Sequence, residues 1–316
     1  MAIRSDGDSV YESSEPDFEE KKEKLESEIR AQLEKDPTVL SFTGRHFGAD
    51  EVAILTGFPD LKTVTKLDLS DNQIALEEMK SIFEAKDLTQ LLDLNLSVNF
   101  ITSEAVAEIA ESDSVLMKNL KALSLDDNRL KDAAGVAIAG SKNFSQLEWL
   151  NLSYNEIGPE TARALGKSQT LSQLTFLNLE RNYVGEEGGG ALFEEGGLPA
   201  LEALNLSGNR LGDEGVIAFA KSKIPSGLKT LWLTNNAIDE EGAKALGESE
   251  NLKSLETLYI GRNYFKDVGA KILYEHKSLP KLEKLLLRED MGEDAGYVNY
   301  SRPELLRPGY EEVPGG

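Results

Sequence analysis

Hydrophobic and polar positions along most of this chain follow one short pattern that changes character half-way. In LEWLNLSYN, Leu150 and Leu152 alternate with the residues around them, and this period of two predicts a short strand. In the IGPETARALG that follows, Ile157, Ala162 and Leu165 recur at spacings of three to five, which predicts a helix buried on one side. One unit of the chain is therefore a strand followed by a helix.

This unit returns in one register along the chain. Nearly the same twenty residues reappear at Leu201 as LEALNLSGNRLGDEGVIAFA. The asparagine that ends each strand segment occurs at Asn72, Asn99, Asn128, Asn155, Asn182, Asn209, Asn236 and Asn263, in steps of 27 with a single step of 29. One step beyond each end, Arg45 and Asp290 stand in its place. About ten turns of 27 residues thus fit a single repeat.

Neither half of the unit can bury its apolar side alone. Stacking the units solves this for both halves, because strands then pair in parallel along one side and helices pack along the other. At the buried turn, an asparagine side chain both donates and accepts hydrogen bonds, so we expect these asparagines to form a structural ladder between turns. Four glycines share one place in the helical half, six residues after the asparagine, where a side chain would crowd the adjacent turn: Gly188, Gly215, Gly242 and Gly269. Gly135 lies one residue later in its own unit.

The unit L-x-x-L-x-L-x-x-N-x-I-x-x-x-G-A-x-A-L resembles the leucine-rich repeat. It is similar to the longer version typical of the ribonuclease-inhibitor and Ran GTPase-activating protein group. The resemblance covers residues 39–293. It implies an α/β solenoid shaped as a horseshoe, with a parallel sheet on the concave side and helices on the convex side. It says less about function, since one fold hosts many activities.

The two ends depart from the repeat. Residues 14–38 predict a helix that caps the first turn, with Ser14 as its N-cap and Pro16 in its first turn; a helix that binds a partner is the alternative. Residues 1–13 are small and polar, and we expect them to be disordered. Residues 294–316 contain prolines and tyrosines and predict an extended tail over the last turn, with a docking motif as the alternative.

Charge and composition narrow the class of partner. The chain has 34 Lys and Arg against 56 Asp and Glu, a net charge of −22, which disfavours nucleic acid and anionic membrane surfaces. It has no cysteine, the first residues lack the apolar core of a secretory signal, and no apolar run nears the length of a membrane span. We therefore predict a cytoplasmic protein, with export as an effector as the alternative.

Catalytic constellations are scarce. The two histidines, His46 and His276, lie far apart and in non-equivalent parts of the repeat, so a zinc site or a nucleophilic triad is not expected. The segment GEEGGG, Gly185–Gly190, lacks the lysine of a phosphate loop and falls in the helical half of a unit. We predict no enzymatic activity, no cofactor and no metal.

The sheet side is more informative. Four places per strand segment are expected to project from the concave face: the residue before the second leucine, the one between the leucines, and the two before the asparagine. Both tryptophans of the chain fall in these columns. Trp, Tyr and Arg dominate interface hot spots, and the predicted partner-binding residues are Trp149, Tyr154, Phe176, Arg181, Trp232, Tyr259 and Arg262. The alternative is that these aromatic rings only pack against cross-strand neighbours.

These observations favour a non-enzymatic scaffold that binds a protein or peptide on its concave face. A second hypothesis follows from the resemblance to the Ran activator: the partner is a small GTPase and Arg45 acts at its nucleotide. In a third hypothesis the chain is a secreted effector or recognition module.

Overall fold

Ten short strands form one parallel sheet in the computed structural model, which describes residues 17–112, 114–275 and 278–287. Sequence order and spatial order are the same, so each strand pairs with the strands of the units before and after it. The strands are β1 Val39–Ser41, β2 Lys66–Asp68, β3 Asp93–Asn95, β4 Ala122–Ser124, β5 Trp149–Asn151, β6 Phe176–Asn178, β7 Ala203–Asn205, β8 Thr230–Trp232, β9 Thr257–Tyr259 and β10 Lys284–Leu286.

The register repeats without a slip from β1 to β10. The central leucine of each strand pairs with the central leucine of the next, as Leu123 pairs with Leu150 and Leu150 with Leu177. Equivalent positions of successive units therefore lie side by side, including across the step of 29 residues, where Leu94 pairs with Leu123. The predicted solenoid of strand–helix units is confirmed.

Helices alternate with the strands and lie along the other side of the sheet. In the described residues they are α1 Phe18–Lys35, α2 Ala49–Gly57, α3 Leu76–Phe83, α4 Ser103–Glu111, α5 Val115–Asn119, α6 Asp132–Gly140, α7 Pro159–Lys167, α8 Gly185–Ala191, α9 Gly212–Lys221, α10 Glu240–Gly247 and α11 Asp267–Glu275. Packed helices need about 8–10 Å between their axes, whereas paired strands need about 4.8 Å. The stack therefore curves, with the sheet on the concave side.

The core is a continuous apolar layer between sheet and helices. The leucines of the strand segments, such as Leu150 and Leu152, are fully buried, as are the helix residues Ala162 and Leu165 that face them. These helix residues occupy the positions that the spacing of three to five predicts.

Each asparagine after a strand joins neighbouring units. Asn99 Nδ2 donates to the backbone oxygens of Leu96 and Ser97 in its own unit, at 3.1 and 3.0 Å, and to Leu69 of the preceding unit at 3.0 Å. Its Oδ1 accepts from the backbone N–H of Ile74, also in the preceding unit, at 2.9 Å. One buried side chain thus satisfies the backbone groups of a turn that has no regular secondary structure.

Glycines permit close approach of adjacent helices. A Cβ atom added to Gly215 of α9 would lie 2.9 Å from the Cα of Glu186 in α8, and one added to Gly135 would overlap the Thr161 side chain of the next unit. No side chain fits at such separations without a shift of the neighbouring unit.

The helix at the N-terminal end differs in its start from the sequence expectation. It begins at Phe18, and the Asp17 side chain accepts a hydrogen bond from the backbone N–H of Glu20 at 2.9 Å. An aspartate is a favoured N-cap residue, so the cap is Asp17 rather than Ser14, which lies outside the described residues. Leu25 and Ile29 are the buried residues of this helix.

The two extra residues between Asn99 and Asn128 accompany the short helix α5. The expectations for residues 1–13 and 294–316 concern segments outside the described residues. In the described part of the chain, no helix combines the length and the apolar character that a membrane crossing requires.

Candidate protein-binding surface

Four aromatic rings contact one another along the concave face, and we name Trp149, Phe176, Trp232 and Tyr259 the aromatic ladder. Trp149 stacks on Phe176 with 5.3 Å between ring centroids and 6° between ring planes. Trp232 stacks on Tyr259 at 5.2 Å and 11°. The two stacks meet where Phe176 and Trp232 are in edge contact at 6.5 Å and 75°. The ladder therefore spans the five strands from β5 to β9.

Register and residue size produce this arrangement. Trp149 pairs with Phe176, and Trp232 pairs with Tyr259, so each stack follows directly from the parallel pairing. The contact between the stacks crosses β7, where Phe176 pairs with Ala203 and Trp232 pairs with Asn205. All four rings are partly exposed, so the ladder is a surface feature and not part of the core.

A hydrogen-bonded polar network lies on the strands before the ladder. Asp126 accepts hydrogen bonds from Ser97 Oγ, from Ser124 Oγ at 2.6 Å and from Asn151 Nδ2 at 2.8 Å. The hydroxyl of Ser153 donates to Asn151 Oδ1 at 2.8 Å. These side chains hold one another in place, which makes this part of the face rigid.

The third of the four expected columns, formed by the residue two places before each asparagine, is largely buried. Ser70, Ser97, Ser153 and Thr234 are between 4 and 9% exposed. Ser97 Oγ, for example, donates to Asn95 Oδ1 at 2.6 Å, which turns it towards the neighbouring column and away from solvent. The expectation that all four columns project from the face is wrong for these positions. The hydroxyls of Ser70, Ser97 and Ser153 each bond to a longer side chain two residues earlier, at Asp68, Asn95 and Asn151.

The fourth column is the residue directly before each asparagine, where the chain leaves the strand segment. We call this row of residues the rim of the concave face. In nine successive units this residue has φ between 50° and 69°, the left-handed region: Gly44, Asp71, Val98, Asp127, Tyr154, Arg181, Gly208, Asn235 and Arg262. Only two of these nine are glycines. The turn that places the asparagine inside the stack thus imposes a backbone conformation that most side chains disfavour.

Three predicted binding residues lie on this rim and not in the ladder. The Arg181 guanidinium lies over the ring of Tyr154, 5.3 Å from its centroid. Glu180 joins them, because its carboxylate accepts from the Tyr154 hydroxyl at 3.5 Å and lies 3.8 Å from Arg181 Nε. Arg262 follows β9 and is partly exposed.

A second row of rim aromatics was missed by the sequence analysis. Arg129 lies over Phe100, and Arg210 over Tyr183, each 5.1 Å from the ring centroid. In both pairs the two residues directly follow the asparagines of adjacent units. The signal was present in the sequence, since one further column beside the asparagine contains Phe100, Tyr183 and Tyr264, which are 46–59% exposed.

Ion pairs between neighbouring units lie where the chain enters the strands, on the side of the aromatic ladder opposite the rim. Lys121 contacts Glu148 at 2.6 Å and Lys229 contacts Glu202 at 2.9 Å. Nearer the first unit, Lys66 pairs with Asp93 at 2.8 Å, and the hydrogen bond to that carboxylate raises the pKa of Lys66. Pairs with this degree of exposure are worth little for stability, so their main effect is on the local charge of the face.

Catalytic or metal chemistry has no apparent centre in the described ranges. Within residues 17–112, 114–275 and 278–287, no three or more His, Cys, Asp or Glu side chains are grouped to hold a metal ion. His46 is exposed, and His276 lies outside these ranges. The Arg45 guanidinium is bound to Glu28 of α1 by two hydrogen bonds of 2.6 and 2.8 Å, which raise its pKa.

Repeated strand–helix units in one register, with a rigid concave sheet, define an α/β repeat solenoid. The family model of the Leucine Rich repeat matches residues 60–82, 117–139, 147–166, 198–220 and 228–247. Residues 60–247 accordingly contain leucine-rich repeats, and repeats of this kind generally mediate protein–protein interaction and typically form non-enzymatic scaffolds. A comparison with curated proteins gave no significant match.

Proposed function

We propose that this protein is a scaffold that binds a protein or peptide on its concave face, anchored by the aromatic ladder. The ladder itself supports this function most strongly. Four large rings lie in contact on a solvent-facing sheet of a chain whose net charge is −22. Clustered aromatic surface of this kind on a protein usually marks a binding site.

The surroundings of the ladder also favour binding. The polar network around Asp126 and the cross-strand ring stacks order the face before any partner arrives, which lowers the entropic cost of association. The rim pair of Tyr154 and Arg181, together with Arg262, supplies polar contacts beside an apolar centre. An apolar centre with a polar rim is the usual anatomy of a protein interface.

The test is capture of partners from a cell extract by wild-type protein and by the variants Trp149→Ala and Trp232→Ala. Each variant is expected to lose about 2 kcal/mol or more of binding free energy, roughly a thirtyfold rise in Kd for the captured partner. Loss of a ring stack costs about 0.5–1.5 kcal/mol, so the thermal unfolding curve is expected to shift only modestly.

Phe18→Ala is the matched control, because Phe18 is an aromatic residue, 44% exposed, on α1 and away from the sheet. It is expected to capture the partner normally. Unchanged capture by both tryptophan variants contradicts the proposal, and so does collapse of the fold in both, since the rings then belong to the core.

The longer repeat type typical of the ribonuclease-inhibitor and Ran activator group is supported by the helices α6, α7 and α9, each of nine or ten residues. The further hypothesis of a small GTPase partner has no comparable support. Arg45 is engaged with Glu28 in the free protein. Phosphate release from candidate GTPases, with and without this protein, tests that hypothesis separately.

A further inference from the structure

One face of the Trp149 indole is not covered by the aromatic ladder. Its ring is nearly parallel to that of Phe176 on β6, and this stacking runs along the direction in which strands pair. The opposite face of the indole therefore turns towards β4. The residue of β4 that pairs with Trp149 is Ala122, whose methyl group is too short to cover an indole.

A carboxylate lies on the far side of Ala122. Asp93 on β3 pairs with Ala122, so the three residues lie in one row across three adjacent strands. The Asp93 side chain is 38% exposed and is in contact with Lys66 at 2.8 Å. Two strand spacings, about 9–10 Å, separate the backbones of β3 and β5. This leaves a slot with an indole wall, a methyl floor and a carboxylate opposite.

We propose that this slot, formed by Trp149, Ala122 and Asp93, binds an arginine side chain of the protein partner. The inference rests on the proposed function of the concave face and specifies the chemistry of its ligand. A guanidinium is flat, stacks on an indole face and forms paired hydrogen bonds with a carboxylate. The slot presents an indole face and a carboxylate on either side of Ala122, so that a guanidinium can stack on the one and donate from its edge to the other.

The charge of the protein is complementary to such a ligand. The whole chain carries −22, which attracts a cationic segment over a distance and raises its rate of association. Next to the slot, Asp126 adds a further carboxylate that is held by its hydrogen bonds to Ser124 and Asn151. Lys66 forms an ion pair with Asp93 in the free protein, and the arginine displaces it.

The slot can be observed directly, because the chain has two tryptophans and Trp232→Phe leaves Trp149 as the remaining one. In this background, fluorescence of Trp149 is titrated with the peptide Ac-Gly-Arg-Gly-NH2 and with its citrulline analogue. Citrulline has nearly the same shape as arginine and no charge. The arginine peptide is expected to change the fluorescence saturably, with at least tenfold tighter binding than the citrulline peptide.

Three variants separate the slot from general attraction to an acidic protein. Ala122→Leu fills the floor without changing the charge and is expected to abolish binding, whereas Thr257→Leu, in the same column on β9, is expected to bind normally. Asp93→Asn is expected to weaken binding at least fivefold. Lys66→Met is expected to tighten it, because the internal competitor for Asp93 is removed.

Equal binding of the two peptides, or normal binding by a folded Ala122→Leu, overturns the inference. If Ala122→Leu does not fold, Asp93→Asn provides the test, because the Asp93 side chain is partly exposed and its replacement is not expected to disturb the fold; normal peptide binding by this variant then overturns the inference. Partner capture distinguishes this failure from failure of the proposed function. If Trp232→Ala loses the partner while Ala122→Leu and Asp93→Asn retain it, the concave face binds without the slot. If all of these variants and Trp149→Ala retain it, both proposals fall.

Discussion

The side-chain amide of Gln32 pairs with both backbone hydrogen-bonding groups of Ser41, as a neighbouring strand would. Gln32 Oε1 accepts from the Ser41 N–H at 2.9 Å, and Gln32 Nε2 donates to the Ser41 carbonyl at 3.0 Å. Ser41 ends β1, the outermost strand of the sheet, and an open strand edge invites pairing with another chain. The contact supports our proposal that α1 caps the first unit.

Gln32→Ala is expected to lower the free energy of unfolding by about 1–2 kcal/mol, because two exposed hydrogen bonds are lost. It is also expected to increase self-association, since the edge of β1 is then open. Urea unfolding and light scattering measure the two effects. Gln169→Ala, which removes one long hydrogen bond of 3.4 Å elsewhere on the surface, is the control and is expected to change neither. Wild-type behaviour of Gln32→Ala in both measurements contradicts the capping role.

Val98 is a β-branched residue held in the left-handed region, with φ of 55°. This conformation costs an L-residue about 1–2 kcal/mol, and asparagine tolerates it better, as Asn235 does at the same place in a later unit. Val98 is 42% exposed, so its replacement loses little burial. Val98→Asn is therefore expected to stabilise the protein by about 1 kcal/mol.

The matched control for Val98→Asn is Val136→Asn, since Val136 is 43% exposed on the helix α6. Valine and asparagine have similar helix propensities, so this change is expected to be nearly neutral. Thermal unfolding of the two variants side by side measures the difference. A loss of stability in Val98→Asn shows that the side chain of Val98 contributes more than its backbone strain costs.

Gly215→Ala is expected to destabilise the stack. The added methyl group lies 2.9 and 3.1 Å from the backbone Cα and O of Glu186, and backbone does not move aside as a flexible side chain does. Overpacking of this kind costs about 1–3 kcal/mol. Gly57→Ala at the end of α2 meets nothing within 4 Å and is expected to be neutral or slightly stabilising. Equal melting temperatures of the two variants exclude the close approach of α8 and α9.

Asn209→Ala is expected to lower the free energy of unfolding by about 2–4 kcal/mol, since buried backbone groups lose their partners. Asn209 is fully buried; its amide donates to Leu179, Leu206 and Ser207 and accepts from the N–H of Val184. Asn119→Ala removes one exposed hydrogen bond, to Thr89, and is expected to cost at most about 1 kcal/mol. If Asn209→Ala costs no more free energy of unfolding than Asn119→Ala, the buried asparagines do not stabilise the solenoid.

The sequence was sufficient to predict the repeat and the two elements of each unit. Steps of 27 residues and the change from a period of two to a helical spacing are local properties, and stacking is the arrangement that buries both apolar sides at once. The register of Trp149 beside Phe176 followed from the same alignment. The rim pairs followed from this alignment too, since Phe100 and Arg129 directly follow Asn99 and Asn128, but the four columns considered from the sequence all lie before the asparagine.

Sequence alone therefore determined which residues occupy equivalent positions, because a constant step and alternating apolar positions encode the stack. The tertiary structure decided what these positions do with one another. The ladder becomes continuous because Phe176 on β6 and Trp232 on β8 meet across β7. Serines of the third column are turned from the surface because their hydroxyls bond to neighbouring side chains, and Trp149 has only the small Ala122 beside it on β4. Such contacts depend on ring orientation and on the sizes of side chains in adjacent units, and neither property is contained in the repeat itself.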